Sequence, residues 1–132
     1  MDKLSKNIVV TASILAAITI AIGAFGAHGL KQLVSAESLV TFETGVRYQM
    51  YHALALFVIG FASAIPPNTK KWVFRFFCIG MLFFSGSIYL LALKELLPFS
   101  ISFLGPITPV GGLLFIIGWG LLARGLLTIN RG

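Results

Sequence analysis

Residues 8–27 read IVVTASILAAITIAIGAFGA, twenty residues without a charge. A helix rises ~1.5 Å per residue, so this stretch covers ~30 Å, the thickness of a bilayer's hydrocarbon core. Three further apolar stretches follow. The second is uncharged from Tyr48 to Pro66. The third runs from Phe76 to Leu93, between Arg75 and Lys94. The fourth runs from Pro109 to Ala123, with an extension toward Ile129. Backbone groups inside lipid must bond internally, so each stretch is expected to be helical. The period-two alternation of a membrane β-barrel is absent. The expectation is an all-α polytopic membrane protein. It has one domain, a bundle of four transmembrane helices near 8–27, 44–65, 73–93 and 109–127.

Composition points the same way. Of 132 residues, 58% are hydrophobic and 11% charged, against ~25% charged in a soluble domain. Mean hydropathy is +0.96. A chain this small lacks the polar surface to coat a water-soluble globule. The net charge of +6 comes from cations scattered at the ends of apolar runs. They read as topology signals and contacts to anionic head groups, so nucleic acid is not an expected partner. Cys78 is the only cysteine, which excludes an internal disulfide and a cysteine metal site. It reads as a small buried hydrophobe.

The connections fit four spans. Pro66-Pro67-Asn68 is expected to stop the second helix. Pro98, Gly105 and Pro106 break the chain before the fourth, where Thr108 is an N-cap candidate with Pro109 at the first helical position. Between the first and second spans, Lys31 to Phe42 suits a loop and an interfacial turn that Ser35 could cap. Lys3 and Lys6 before an apolar run resemble a secretory signal, with Ala24-Phe25-Gly26 as a cleavage site. That run is longer than a usual signal core, so an uncleaved first span is expected. One side of a four-span protein would carry Lys3, Lys6, Lys70, Lys71, Arg75, Arg124 and Arg131; the other would carry Lys31, Arg47 and Lys94. Seven cations against three favour both termini in the cytoplasm.

The rare polar residues are then expected at the outer level. His28 ends the first span. Glu43, Arg47, Tyr48, Gln49, Tyr51 and His52 open the second, and Ser85, Ser87 and Tyr89 lie in the middle to outer part of the third. Glu43 and Arg47 stand four apart with the acid first, the favourable order for an ion pair. His28 and His52, on neighbouring helices, are expected at similar depth. The ligand-binding candidates are His28, Glu43, Arg47, Tyr48, Gln49, Tyr51, His52, Ser85 and Tyr89. The plainer readings are a fold-fixing ion pair, belt tyrosines and hydrogen-bonded packing histidines. Ser85-Gly86-Ser87 has no acidic partner nearby and reads as helix packing. Two histidines without a third ligand make a weak zinc site. No phosphate loop, triad or catalytic residue stands out, and no cofactor or metal is expected.

The segments GAFGAHGL (23–30), FETGVRYQMYHALAL (42–56), SGSIYLLAL (85–93) and GPITPVGGLLFIIGW (105–119) resemble the bacterial domain-of-unknown-function family 423. That family is similar to the eukaryotic transmembrane protein 256 group. The resemblance covers nearly the whole chain in order and spacing. It implies a small four-helix protein of the bacterial cytoplasmic membrane and carries no established activity.

The expected function is therefore a non-enzymatic accessory, channel-like or binding protein. Its outer polar cluster would meet a lipid head group, a small solute or a partner helix, and a homo-oligomer would complete it. The alternative is an enzyme on a lipid-linked substrate, with His52 or His28 as general base and Arg47 as electrostatic stabiliser. A third reading holds haem between His28 and His52.

Overall fold

The computed structural model describes residues 1–129. It is all-α, with four long helices: α1 (Lys3–His28), α2 (Ala36–Phe61), α3 (Pro67–Ala92) and α4 (Ile107–Leu127). Single 3-10 turns at Leu30–Gln32, Lys94–Leu96 and Ser102–Leu104 fill the connections.

The helix starts follow local chemistry. Asp2 caps α1, its carboxylate accepting from Ser5 N at 3.1 Å. Ser35 caps α2 as expected, its hydroxyl accepting from Ser38 N at 3.2 Å. α2 thus begins eight residues before the expected span, and Lys31 to Phe42 is mostly helix. The expected stop at Pro66 is also corrected. α2 ends at Phe61, and Pro67 opens α3 at its first helical position, where its missing N–H costs nothing. α4 begins at Ile107 with Pro106 at the cap. Thr108 therefore lies in the first turn, and its hydroxyl meets Ser87 Oγ at 2.6 Å instead of capping.

Successive helices run antiparallel and pack in chain order, α1 on α2, α2 on α3 and α3 on α4. Only a few contacts join α1 to α3, and among the described residues no backbone contact joins α1 to α4. The arrangement is an open stack around the α2–α3 pair, not a closed ring of four. Gly111 makes the closest crossing: a Cβ there would fall on the backbone of Phe84, so α3 and α4 touch main chain to main chain. The larger core cluster joins Ile8, Ala12, Leu56, Val73, Phe77 and Phe115. A smaller one joins Leu30, Phe42 and Ala92 at the other end. Ile20, Leu82 and Ile116 remain well exposed on the outside, as the apolar surround of a bilayer allows.

α1 with its following turn, α3, and α4 with its preceding turn are long and apolar enough to cross a membrane. α2 has the same length as α3 but is less apolar, because Glu37, Glu43, Arg47, Gln49 and His52 lie on it.

Candidate functional site

His52 sits at the middle of the stack, not at the end that holds the α1–α2 connection. It is 4% exposed. Its ring stacks on Phe115 of α4, with centroids 3.6 Å apart at 10°. The edge of Phe77 of α3 lies 4.8 Å away. Trp119, one turn beyond Phe115, donates its indole N–H to His52 Nε2 at 3.1 Å. An indole N–H only donates, so Nε2 is the acceptor nitrogen and Nδ1 carries the proton. That proton goes to the Tyr48 carbonyl, 2.7 Å away. Both ring nitrogens of a neutral imidazole are therefore occupied.

This arrangement corrects several expectations. His28 ends α1 and is exposed, close to the level where Gly26 packs on Phe42. His52 is ten residues further along α2, about 15 Å along the axis. The two histidines do not approach each other, and no haem fits between them. His52 has no free lone pair with which to act as a base. Among the described residues no group of three histidines, cysteines or acids could hold a metal.

Toward the end of the stack that holds the α1–α2 connection the inner polar residues are tied in pairs. Tyr89 donates to Gln49 Oε1 at 2.6 Å, and Ser85 donates to the Gly45 carbonyl at 2.8 Å. Ser87 and Thr108 share a hydrogen bond between α3 and α4. No buried side-chain nitrogen or oxygen among the described residues lacks a partner. Ser85 and Ser87 are thus struts between helices, as the packing reading expects.

The remaining candidates lie elsewhere. Arg47 is exposed and donates to Thr44 Oγ1 at 3.3 Å. Its expected partner, Glu43, is exposed one turn away and does not take that bond. Tyr48 and Tyr51 pair edge to face at 5.7 Å, and Tyr48 also lies 4.8 Å from Phe84. The structure brings together Gln49 with Tyr89 and His52 with Tyr48. It leaves His28, Glu43 and Arg47 on the outside.

Three side chains that tie the helices together escape the sequence reading. Trp119 was legible only as a tryptophan at mid-span, where its N–H needs an acceptor. Lys70, counted as a loop charge, is 5% exposed. It donates to Ser5 Oγ at 3.0 Å and to the Gly60 carbonyl at 3.2 Å. Gly60 O lies in the last turn of α2, where carbonyls lack helical partners, so Lys70 caps α2. Glu95, beyond α3, accepts from Ser38 Oγ at 2.8 Å and from Ser35 Oγ at 3.0 Å. Those bonds, Ser38 first, hold its carboxyl below the usual carboxylate range. Arg131, counted among the topology cations, lies outside the described residues.

Two apolar grooves flank the central pair. One, about 580 Å³, lies between α2 and α4 and is lined by Tyr48, His52, Phe84, Gly112, Ile116 and Trp119, among others. The other, about 370 Å³, lies between α1 and α3 over Gln49 and Tyr89. Both open sideways, toward what would be the bilayer.

The family described as "Protein of unknown function (DUF423)" matches residues 22–112. The chain is 41% identical to a UPF0382 membrane protein of Staphylococcus saprophyticus over 124 residues, 94% of this chain and 99% of the relative. It is 42% identical to the UPF0382 membrane protein YwdK of Bacillus subtilis, over 86% of this chain and 90% of that one. It is 35% identical to the UPF0382 inner membrane protein YgdD of Escherichia coli, over 96% and 94%. No solved structure matches. With most of its length aligned to membrane proteins and its apolar helices long enough to span, this chain is a membrane protein and belongs to the DUF423 family.

Proposed function

We propose that the chain is a four-span protein of the cytoplasmic membrane with both termini inside, and that it binds and does not catalyse. Its occupant is the hydrocarbon chain of a lipid or lipid-like molecule, laid in the groove between α2 and α4. The observation that carries this reading is the state of His52. Its two nitrogens are consumed by Tyr48 and Trp119, so the groove presents a flat aromatic wall in which the imidazole is no free base. Such a wall suits an apolar chain entering sideways from the bilayer. Support for α2 crossing the membrane despite its polar residues comes from His52, bonded at both ring nitrogens, and from Gln49 Oε1, bonded to Tyr89, which lowers their cost in hydrocarbon. The lysine and arginine bias of seven to three supports cytoplasmic termini.

The test fills the groove. A Cβ at Gly112 would meet Phe84 only at 3.7 Å, so Gly112→Leu adds bulk without a backbone clash. Native mass spectrometry of the purified protein, together with labelling by a photoactivatable fatty acid, reads the occupant. Retained lipid and labelling in the wild type, lost in Gly112→Leu at unchanged abundance, supports the reading. Equal labelling of both proteins overturns it. Reporter fusions at the two termini test the topology.

A further inference from the structure

A lateral face of α2, bordering the shallow groove that Glu43 and Arg47 share with Gly23 and Gly26 of α1, carries Glu43, Arg47, Met50, Leu54, Phe57 and Phe61. Their spacing alternates four and three residues. All but the half-buried Met50 are exposed. This is the 3–4 repeat with which two parallel helices pack side by side. Two charges interrupt it. His52 marks the mid-level, because it stacks on Phe115 near the centre of α4. Arg47 lies five residues outward of it, about 7.5 Å along the axis, and half a bilayer core is ~15 Å. Glu43 lies nine residues outward, about 13.5 Å by the same rise and near the edge. With α2 spanning the bilayer as proposed above, on which this inference rests, Arg47 lies inside the hydrocarbon. Its one hydrogen bond among the described residues goes to a threonine of its own helix. An arginine so placed is costly unless a carboxylate meets it.

We infer that this face of α2 packs against the same face of a second copy, with Arg47 of each chain paired to the other chain's Glu43. A two-fold axis along the membrane normal sets the two α2 helices parallel, so one glutamate–arginine couple becomes two reciprocal ones. Equal levels face one another about such an axis, so each Arg47 crosses the seam diagonally, one turn outward, to reach the other chain's Glu43. Below the charged layer Met50, Leu54, Phe57 and Phe61 meet their own counterparts.

The experiment is disulfide trapping of the full chain in native membranes, in a Cys78→Ala background, with Leu54→Cys as reporter and Ile20→Cys on the exposed side of α1 as reference. The Leu54→Cys protein should trap as a dimer, and the Ile20→Cys protein should not. Glu43→Arg or Arg47→Glu alone should lower the trapped fraction about tenfold by setting like charges together, and the double exchange should restore it to within about twofold. Tryptophan-monitored unfolding of each variant in detergent separates loss of pairing from loss of fold. Equal trapping at Leu54 and Ile20 overturns the interface. A double exchange no better than the singles, with the fold intact, overturns the reciprocal pairing and leaves Arg47 to a lipid head group.

Discussion

The two faces of α2 carry similar residue types and use them in opposite ways. On the inner face Gln49 and His52 are buried; both ring nitrogens of His52 are bonded, and Gln49 Oε1 accepts from Tyr89 across the helix boundary. On the outer face Glu43 and Arg47 are exposed, and Arg47 reaches only Thr44. The inner residues hold this chain together; the outer ones have no comparable task within it. A polar residue in a membrane helix is thus given its role by its angular position, not by its type.

That contrast can be broken from the inside first. His52→Ala should have the largest effect. It removes the ring stacked on Phe115 and strands the Trp119 N–H, and should cost roughly 3 kcal/mol, as large-to-small core changes do. Trp119 fluorescence should shift, and thermal unfolding in mild detergent should drop by several degrees. An unchanged melting curve would mean that the stack is not the centre of the fold. Lys70→Ala comes next. It leaves the Gly60 carbonyl without its charged donor, worth about 2 kcal/mol for a bond of that kind. Its readout is faster hydrogen exchange confined to the end of α2.

Tyr89→Phe should be milder, at about 0.6 kcal/mol, the average for side-chain hydrogen bonds between membrane helices, and no more than about 1.7. Unfolding should show the loss without a change in span topology. Glu95 sharpens the comparison through pH. Its folded-state carboxyl titrates below the ordinary range. A carboxylate shifted down contributes stability above its unfolded value and loses it as pH falls through the folded one. Wild type should therefore exceed Glu95→Gln by a small, constant margin near neutrality, and that margin should close in acid below the ordinary carboxylate range. The smallest effect belongs to the outer face. Arg47→Ala should change the unfolding of the single chain by no more than ~0.5 kcal/mol, as exposed substitutions usually do. A large loss there would place Arg47 among the structural residues and erase the distinction between the faces.

Much of the fold was legible in the sequence. The charge-free length of 8–27, the chain breaks near Pro66-Pro67 and Pro106, and Ser35 as a cap each rest on local chemistry, which a sequence displays directly; the placing of Thr108 and Pro109 at the start of α4 was off by two residues. The helix count followed, although α2 starts earlier and stops sooner than its apolar run suggested, because the run marks hydrocarbon and not hydrogen bonding. The site was legible only as a set of residue types. Gln49, Tyr89, Ser85 and His52 were named, but the pairing of Gln49 with Tyr89 and the occupancy of His52 were not. Lys70 was read as a loop charge because a lysine beside a turn has no local mark of burial. Its partners, Ser5 and Gly60, are 65 and 10 residues away.

The sequence by itself determined that helices must form and that they must lie in a membrane, since both depend on composition and length. Only the tertiary structure decided which side of each helix faces its neighbours. In water the apolar side of a helix declares the core. In a bilayer the surround is as apolar as the interior, so burial leaves little asymmetry along the chain to read. The i, i+4 spacing put Arg47 with Glu43 on one stripe. Whether a stripe looked inward at Phe115 or outward at lipid was settled by how α3 and α4 fold back upon α2.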